Sequence, residues 1–239
     1  MHVYAPNHDE ALDLVSRAKR YNEWTLGRAR KYLGASVMDF GAGIGTFTAM
    51  LAPSLLQVVA VEPEPSFAGA LRRRFADAPN VAVLQADAAM LPTAVPHSSF
   101  DAVICFNVLE HISDDRGALE GLRTCLQPGG YLLLLVPAHP WLYGSIDRLH
   151  GHERRYRKNG LTELLSQSGL SVELVQYVNP VGALGWFVAA RLLQRKHVSP
   201  AQLRVYEAVM PALRLIDHLR LPFGASLWAV ARRPMLTEG

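Results

Sequence analysis

Val37-Met38-Asp39-Phe40-Gly41-Ala42-Gly43-Ile44-Gly45-Thr46-Phe47-Thr48 is the stretch on which the reading of this chain turns. Its first residues form a short apolar run suited to a buried strand and its last ones start a helix, so the glycines make a tight strand-to-helix turn. Glycine at such a turn lets the backbone come close to a ligand at the carboxyl end of the strand. A dinucleotide fingerprint, G-x-G-x-x-G, would need its third glycine where this chain has Thr46. Taken alone, the glycines could equally be an ordinary turn.

Outward from this point, short apolar runs alternate with longer amphipathic ones from residue 36 to about 178. That alternation is the signature of βαβ units and a parallel sheet covered on both faces. The pattern predicts strands over 36–40, 57–61, 81–85, 100–106, 131–136 and 171–177, with helices over 46–51, 65–76, 114–126 and 159–168. Asp114 sits at an N-cap position, and Pro128-Gly129-Gly130 is expected to break the chain before the next strand. Residues 1–34 read as a helical N-terminal cap and 35–178 as the core. Residues 179–224 read as an inserted set of helices broken at Pro200, Pro211 and Pro222, before a last strand and tail over 225–239.

The chain has 239 residues, half of them hydrophobic, enough for one sizeable core. Its 24 Lys and Arg against 21 Asp and Glu give +3, too small a surplus to argue for nucleic acid. The charge is uneven: net −3 over residues 1–140 and net +6 over 141–239. Cys105 and Cys125 offer neither a disulfide framework nor a metal spacing. The opening Met1-His2-Val3-Tyr4 lacks a signal-peptide pattern, and no apolar run approaches the ~20 residues a bilayer span needs. A cytoplasmic setting is expected.

Three consecutive strand ends carry complementary chemistry. The first offers the glycine turn. The second ends in Val61-Glu62-Pro63, whose carboxylate can accept hydrogen bonds from both hydroxyls of a ribose, and the third in Gln85-Ala86-Asp87-Ala88, a second acidic acceptor. Together they describe a site shaped for a nucleoside. Asp39-x-Gly41-x-Gly43-x-Gly45, the acidic end of strand two, Asp87-Ala88, and Phe106-Asn107-Val108-Leu109-Glu110-His111-Ile112 after strand four resemble a class I S-adenosylmethionine-dependent methyltransferase, over residues 35–178.

The resemblance implies an α/β, doubly wound, seven-stranded and mostly parallel sheet, with a helical insertion before the last strand. It also implies S-adenosyl-L-methionine as cofactor. Asp39, Gly41 and Gly43 would border its methionine part, Glu62 would hold the ribose hydroxyls and Pro63 would pack on the adenine. Asp87 and Ala88 would contact the adenine edge, and Phe106 or Asn107 would offer a carbonyl to the cofactor amine. Tyr21, on the preceding helix, could touch the methionine carboxylate, while Trp24 is as well explained by packing.

Methyl transfer from a sulfonium asks the protein mainly to position the acceptor and exclude water; a base is needed only where the acceptor has a proton to lose. His111, just after strand four, is the first candidate, with a capping or Glu-paired structural histidine as the equal alternative. The loop after strand five, Pro137 to Tyr156, is long for a connection and dense in aromatic and titratable groups. His139 and Tyr143 could reach the acceptor. Trp141, His152, Arg154, Arg155 and Tyr156 could line its pocket, the arginines taking a carboxylate or phosphate, although for either arginine singly a solvated position is the better reading. His150 and His152 beside Glu153 have no third clear ligand, so no metal is expected.

In the insertion, Phe187, Ala190 and Leu193, then Leu203, Tyr206, Val209 and Met210, recur at helical spacing. Packing on the core is favoured over a lid on a hydrophobic or lipid-like acceptor. Arg191, Arg195, Lys196 and Arg204 on the other faces would suit an anionic membrane surface, which is not favoured. The expected activity is methyl transfer to an oxygen or nitrogen of a small-molecule acceptor. A nucleic-acid methyltransferase is disfavoured by Phe106-Asn107-Val108-Leu109 where Asn-Pro-Pro-Tyr would stand, and a nicotinamide dehydrogenase by Thr46. A lipid methyltransferase and a non-catalytic cofactor-binding or membrane-surface module remain as alternatives.

Overall fold

The computed structural model describes residues 16–188, 200–217, 219 and 221–235. The expectations for Ala190, Arg191, Leu193, Arg195, Lys196 and the first part of the N-terminal cap lie outside the described residues. Strands β1 (Ser36–Phe40), β2 (Gln57–Val61), β3 (Val81–Leu84), β4 (Phe100–Phe106), β5 (Leu126–Pro137), β6 (Ser171–Val178) and β7 (Ser226–Arg232) form one sheet. Its order is β3-β2-β1-β4-β5-β7-β6. The strands run parallel except β7, which is antiparallel to β5 and β6. The helices are α1 (Lys19–Ala29), α2 (Thr46–Leu51), α3 (Pro65–Arg74), α4 (Leu91–Ala94), α5 (Asp115–Cys125), α6 (Ser145–Leu149), α7 (Lys158–Gln167), α8 (Pro180–Trp186) and α9 (Pro200–Asp217).

The unbroken apolar runs are explained by two covered faces. Leu132, Leu134 and Val136 of β5 pack with Met38, Val103, Leu119 and Leu161 on one side. Leu133 and Leu135 pack with Val37, Ile104, Leu51 and Trp228 on the other. Trp24 and Leu26 of α1 and Met210 and Leu213 of α9 join this second face. Part of the insertion is therefore core, each fully buried Leu or Met side chain contributing roughly 1.5–3 kcal/mol.

Two breaks expected from proline and glycine are absorbed. Residues Pro128-Gly129-Gly130 lie within β5, where Gly129 takes φ +82°. The pairing with β4 jumps from Phe100–Leu126 to Ala102–Tyr131, which makes room for the extra residues. The loop is also stitched to the chain after β7, with Gly129 N–H donating to the Arg233 carbonyl and Arg233 N–H to that of Gly130, both at 2.9 Å. Pro211 does not end its helix, because α9 continues to Asp217. A proline there deprives the carbonyl four residues earlier, at Glu207, of its helical donor. The Arg20 guanidinium donates to that carbonyl at 3.0 Å.

The same residue closes a second gap. The backbone N–H groups of Arg20 and Tyr21, in the first turn of α1, donate to the Glu207 carboxylate at 2.8 and 3.1 Å. These amides have no intrahelical acceptor, and a carboxylate there also meets the positive end of the helix. By analogy with loss of an N-cap side chain, Glu207→Ala should lower stability by about 0.5–2 kcal/mol in urea unfolding. An unchanged midpoint would mean that Glu207 does not hold α1.

Candidate active site

The sheet order reverses between β1 and β4, and open α/β sheets bind ligands in the crevice at the carboxyl ends of such a pair. The glycine turn lies there. Gly41 and Ala42 donate from their amides to the Val61 carbonyl at 2.9 and 3.0 Å, tying the turn to the end of β2. Gly41 and Gly45 have φ of +75° and +81°, and a Cβ at Gly45 would come within 2.7 Å of Leu71 and Phe75. Both the left-handed backbone and the packing of α3 against the turn therefore require glycine.

Glu62 lies beneath the turn, buried at 1% exposure. Its carboxylate accepts from the Gly43 N–H at 2.8 Å and the Glu64 N–H at 3.0 Å. Asp39 is also buried, and accepts from the Thr48 hydroxyl at 2.6 Å. Burial pushes its carboxyl up to about 6, against the pull of the Thr48 hydrogen bond. Pro63 and Ala88 are half-buried, as is Asp87, whose carboxylate accepts from the Met90 N–H at 3.0 Å. Asn107, exposed at the end of β4, has φ +55°, and its N–H donates to the Leu135 carbonyl at 2.7 Å. Tyr21 packs on Trp24 and Tyr206, with ring centroids 5.4 and 6.0 Å apart, and burial raises its hydroxyl to about 12.

Beyond β4, Glu110 is fully buried, and among the described residues neither of its carboxylate oxygens has a hydrogen-bond partner. Burial raises its carboxyl to about 7. His111 meets His152 edge to face at 4.8 Å between ring centroids. His152 is in turn held by Asp147, whose carboxylate lies 2.9 Å from its Nδ1. Asp147 is fully buried and also takes donors from Arg155 Nε at 2.7 Å, Gly144 N–H at 2.9 Å and Trp186 Nε1 at 3.3 Å. These donors hold its carboxyl below the usual range against the opposing effect of burial.

The other loop residues have definite places. His139, at φ +60°, stacks on Tyr177 with ring centroids 4.6 Å apart, and burial lowers its pKa. Trp141 is exposed, and Tyr143 donates its hydroxyl to the His152 carbonyl at 2.7 Å. Arg154 pairs with Asp115 and Glu153, both at 2.8 Å. Tyr156 is buried, its hydroxyl 3.0 Å from the Asp115 carboxylate. Arg155, also buried, donates to the Ala138 carbonyl at 3.1 Å besides its bond to Asp147. In this structure Arg154, Arg155 and Tyr156 thus hold the loop to its surroundings. Asp147 had no assigned role in the sequence; only its place as the acid in the first turn of a short helix, three residues after Gly144, hints at it.

His139 and Trp141 from the loop, with Ala183, Leu184, Phe187 and Phe223 from the insertion, line an apolar cavity of about 260 Å³. The two segments expected to choose an acceptor therefore meet.

A family model described as a methyltransferase domain matches residues 38–134. Residues 38–134 carry a class I methyltransferase domain. An uncharacterized methyltransferase of Mycobacterium tuberculosis is 36% identical over 113 residues, 47% of this chain and 56% of that protein. A demethylmenaquinone methyltransferase of Renibacterium salmoninarum is 29% identical over 138 residues, 57% of this chain and 56% of that protein. The chain thus spans little more than half the length of these relatives. Among solved structures, one from a complex between the Haloferax volcanii Trm112 methyltransferase activator and a methyltransferase has a TM-score of 0.66 at 19% identity, covering 97% of this chain and 99% of that one. It shows the shared fold. S-adenosylmethionine is the cofactor of the methyltransferase domain, and the donor set fits it: a glycine turn open to backbone approach, and carboxylates at the ends of β2 and β3.

Asp39 generates a pH prediction. Its folded pKa lies above the unfolded value, so between about pH 4 and 6 the folded domain binds more protons than the unfolded chain. Its contribution to stability is greatest below the unfolded pKa and falls as pH rises to the folded one. Asp39→Asn, which keeps an acceptor for Thr48, should lose less stability than the parent across this window when urea unfolding is followed against pH. An identical slope would show that Asp39 titrates normally.

Proposed function

We propose that this chain transfers a methyl group from S-adenosylmethionine to a small acceptor with an apolar body. The observation that carries the reading is the placement, at the same carboxyl end of the sheet, of the glycine turn over Glu62 and the apolar cavity between loop and insertion. When bound, the cofactor supplies an electrophilic methyl group on a sulfonium. Asp39, Gly41, Gly43 and Tyr21 would border its methionine part, Glu62 its ribose, and Pro63, Asp87 and Ala88 its adenine, with a carbonyl from Phe106 or Asn107 for its amine.

The chain's own work is to orient the acceptor and keep water out. Trp141, Leu184 and Phe187 would hold its apolar part. Of the three candidate proton-handling side chains, His139 is stacked on Tyr177 and Tyr143 is bonded to the His152 carbonyl. His111 also meets the His152 ring, and its place beside the buried Glu110 supports it as the end of the site at which an acceptor proton is lost. Oxygen or nitrogen is the acceptor atom this favours. A carbon atom is the second reading, supported by the apolar cavity together with the likeness to a ubiquinone/menaquinone biosynthesis C-methyltransferase of Coxiella burnetii. The +6 half of the chain and an acidic acceptor, or an activator protein of the kind in the Haloferax complex, are further matters for the same assays.

Transfer of label from methyl-labelled S-adenosylmethionine into metabolite extracts, with the product identified by mass spectrometry, tests the activity directly; no labelled product from any pool would overturn it. For the cofactor site, Glu62→Gln keeps an acceptor for the Gly43 N–H but loses charge. It should weaken S-adenosylhomocysteine binding in calorimetry by about 1.5–3 kcal/mol. Gly43→Val should abolish that binding, because its backbone sits at φ +55° where the cofactor would approach. Unchanged affinity in both would move the cofactor elsewhere.

For the acceptor, Trp141→Ala and Phe187→Ala should raise KM for the identified acceptor about tenfold or more while leaving cofactor affinity intact, as loss of uniform binding energy does. A fall confined to kcat would point to positioning instead of apolar binding.

A further inference from the structure

We propose that Glu110, His111 and His152 form a binding site for a first-row divalent transition metal ion such as zinc. Histidine and carboxylate ligand atoms from these three residues all lie within 4.8 Å of one another. Two imidazole nitrogens and one carboxylate are a ligand set used by zinc and by ferrous iron in sites that keep open coordination positions. In the sequence, His150 and His152 beside Glu153 have no third clear ligand. The fold instead brings His152 against the turn after β4, where Glu110 and His111 supply two.

Two independent observations point to a ligand there. First, Glu110 is fully buried with both carboxylate oxygens unpartnered among the described residues. An isolated buried carboxylate is costly, and such a group is ordinarily paired, protonated or bound to a metal. Second, Asp147 lies 2.9 Å from His152 Nδ1 while saturated by Arg155, Gly144 and Trp186. An ionised carboxylate at Nδ1 keeps the proton on that nitrogen and leaves the Nε2 lone pair as ligand, the arrangement commonly found behind metal-bound histidines. Metal–ligand bonds of about 2.0–2.2 Å in tetrahedral geometry require the widest pair to close by roughly 1.2–1.5 Å. Turning the side chain of His111, which is only half-buried, would provide the closure. The partial exposure of both histidines leaves a way in for the ion and open positions on it.

A role for the ion at the acceptor, binding its oxygen and making that oxygen more acidic, rests on the methyl-transfer reading; the metal site itself does not. The test uses the metal-stripped full chain, titrated with zinc in a calorimeter and with cobalt(II) followed by visible absorption. One equivalent should bind, with cobalt bands of a nitrogen-and-oxygen site. Glu110→Gln, His111→Asn and His152→Asn should each weaken zinc binding about tenfold or more, and Asp147→Asn, which leaves all three ligands in place, about tenfold. S-adenosylhomocysteine binding, measured on each variant, reports whether it is folded. Absence of stoichiometric binding to the parent chain, or affinity unaltered by the ligand variants, would overturn the site. Metal binding with no cofactor binding would instead overturn the methyl-transfer reading and leave the metal site standing.

Discussion

The central strands have no solvent face. Met38, Val103 and Leu134 point to one side of the sheet and Val37, Ile104 and Leu133 to the other, all fully buried. Helices must therefore lie on both sides, and each crossover must return the chain to the same end of the sheet. Polar side chains have no place along such strands, because an unpaired polar group there would lose its hydration without compensation. Chemistry is confined to the strand ends, and the order reversal between β1 and β4 makes one of those ends a crevice.

At that end four carboxylates are buried among the described residues, and they differ in how they are satisfied. Glu62 and Asp39 take donors from the turn and from α2, so they shape the backbone as well as offering acceptors. Asp147 gathers donors from its own helix start, the loop and the insertion, and so joins segments that no strand connects. Glu110 has no such donors among the described residues, which is why burial raises its pKa unopposed by a hydrogen-bonding side chain. The contrast between a saturated and an unsatisfied carboxylate, joined through His152, sets this region apart from a merely structural ion pair.

The insertion has two roles that follow from its composition. Met210 and Leu213 extend the core over the antiparallel end of the sheet, while Glu207 and Arg20 satisfy groups that a helix start and a helical proline leave open. Ala183, Leu184 and Phe187 instead face the loop after β5 across the apolar cavity. Among the described residues no helix is long and apolar enough to cross a membrane.

Much of the architecture was legible in the residues themselves. Short, mostly apolar runs marked β1, β2 and β4 to their last residues, and the three glycines with Glu62 and Asp87 marked the crevice end of the sheet, because these depend on local periodicity and on backbone freedom that only glycine has. Pro211 and Pro128-Gly129-Gly130 misled for the same reason: they disrupt local hydrogen bonding, and only Arg20 and the chain just after β7 repair it from afar. Likewise His152 read as a neighbour of His150 and Glu153, whereas the folded chain sets it between Asp147 and Glu110-His111. By itself the sequence determined the alternating sheet and the residues at its ends, since short-range sterics and burial decide those. Which side chains become partners there was decided by the tertiary structure alone, because the contacts join loops far apart in the chain and carry no periodic signal.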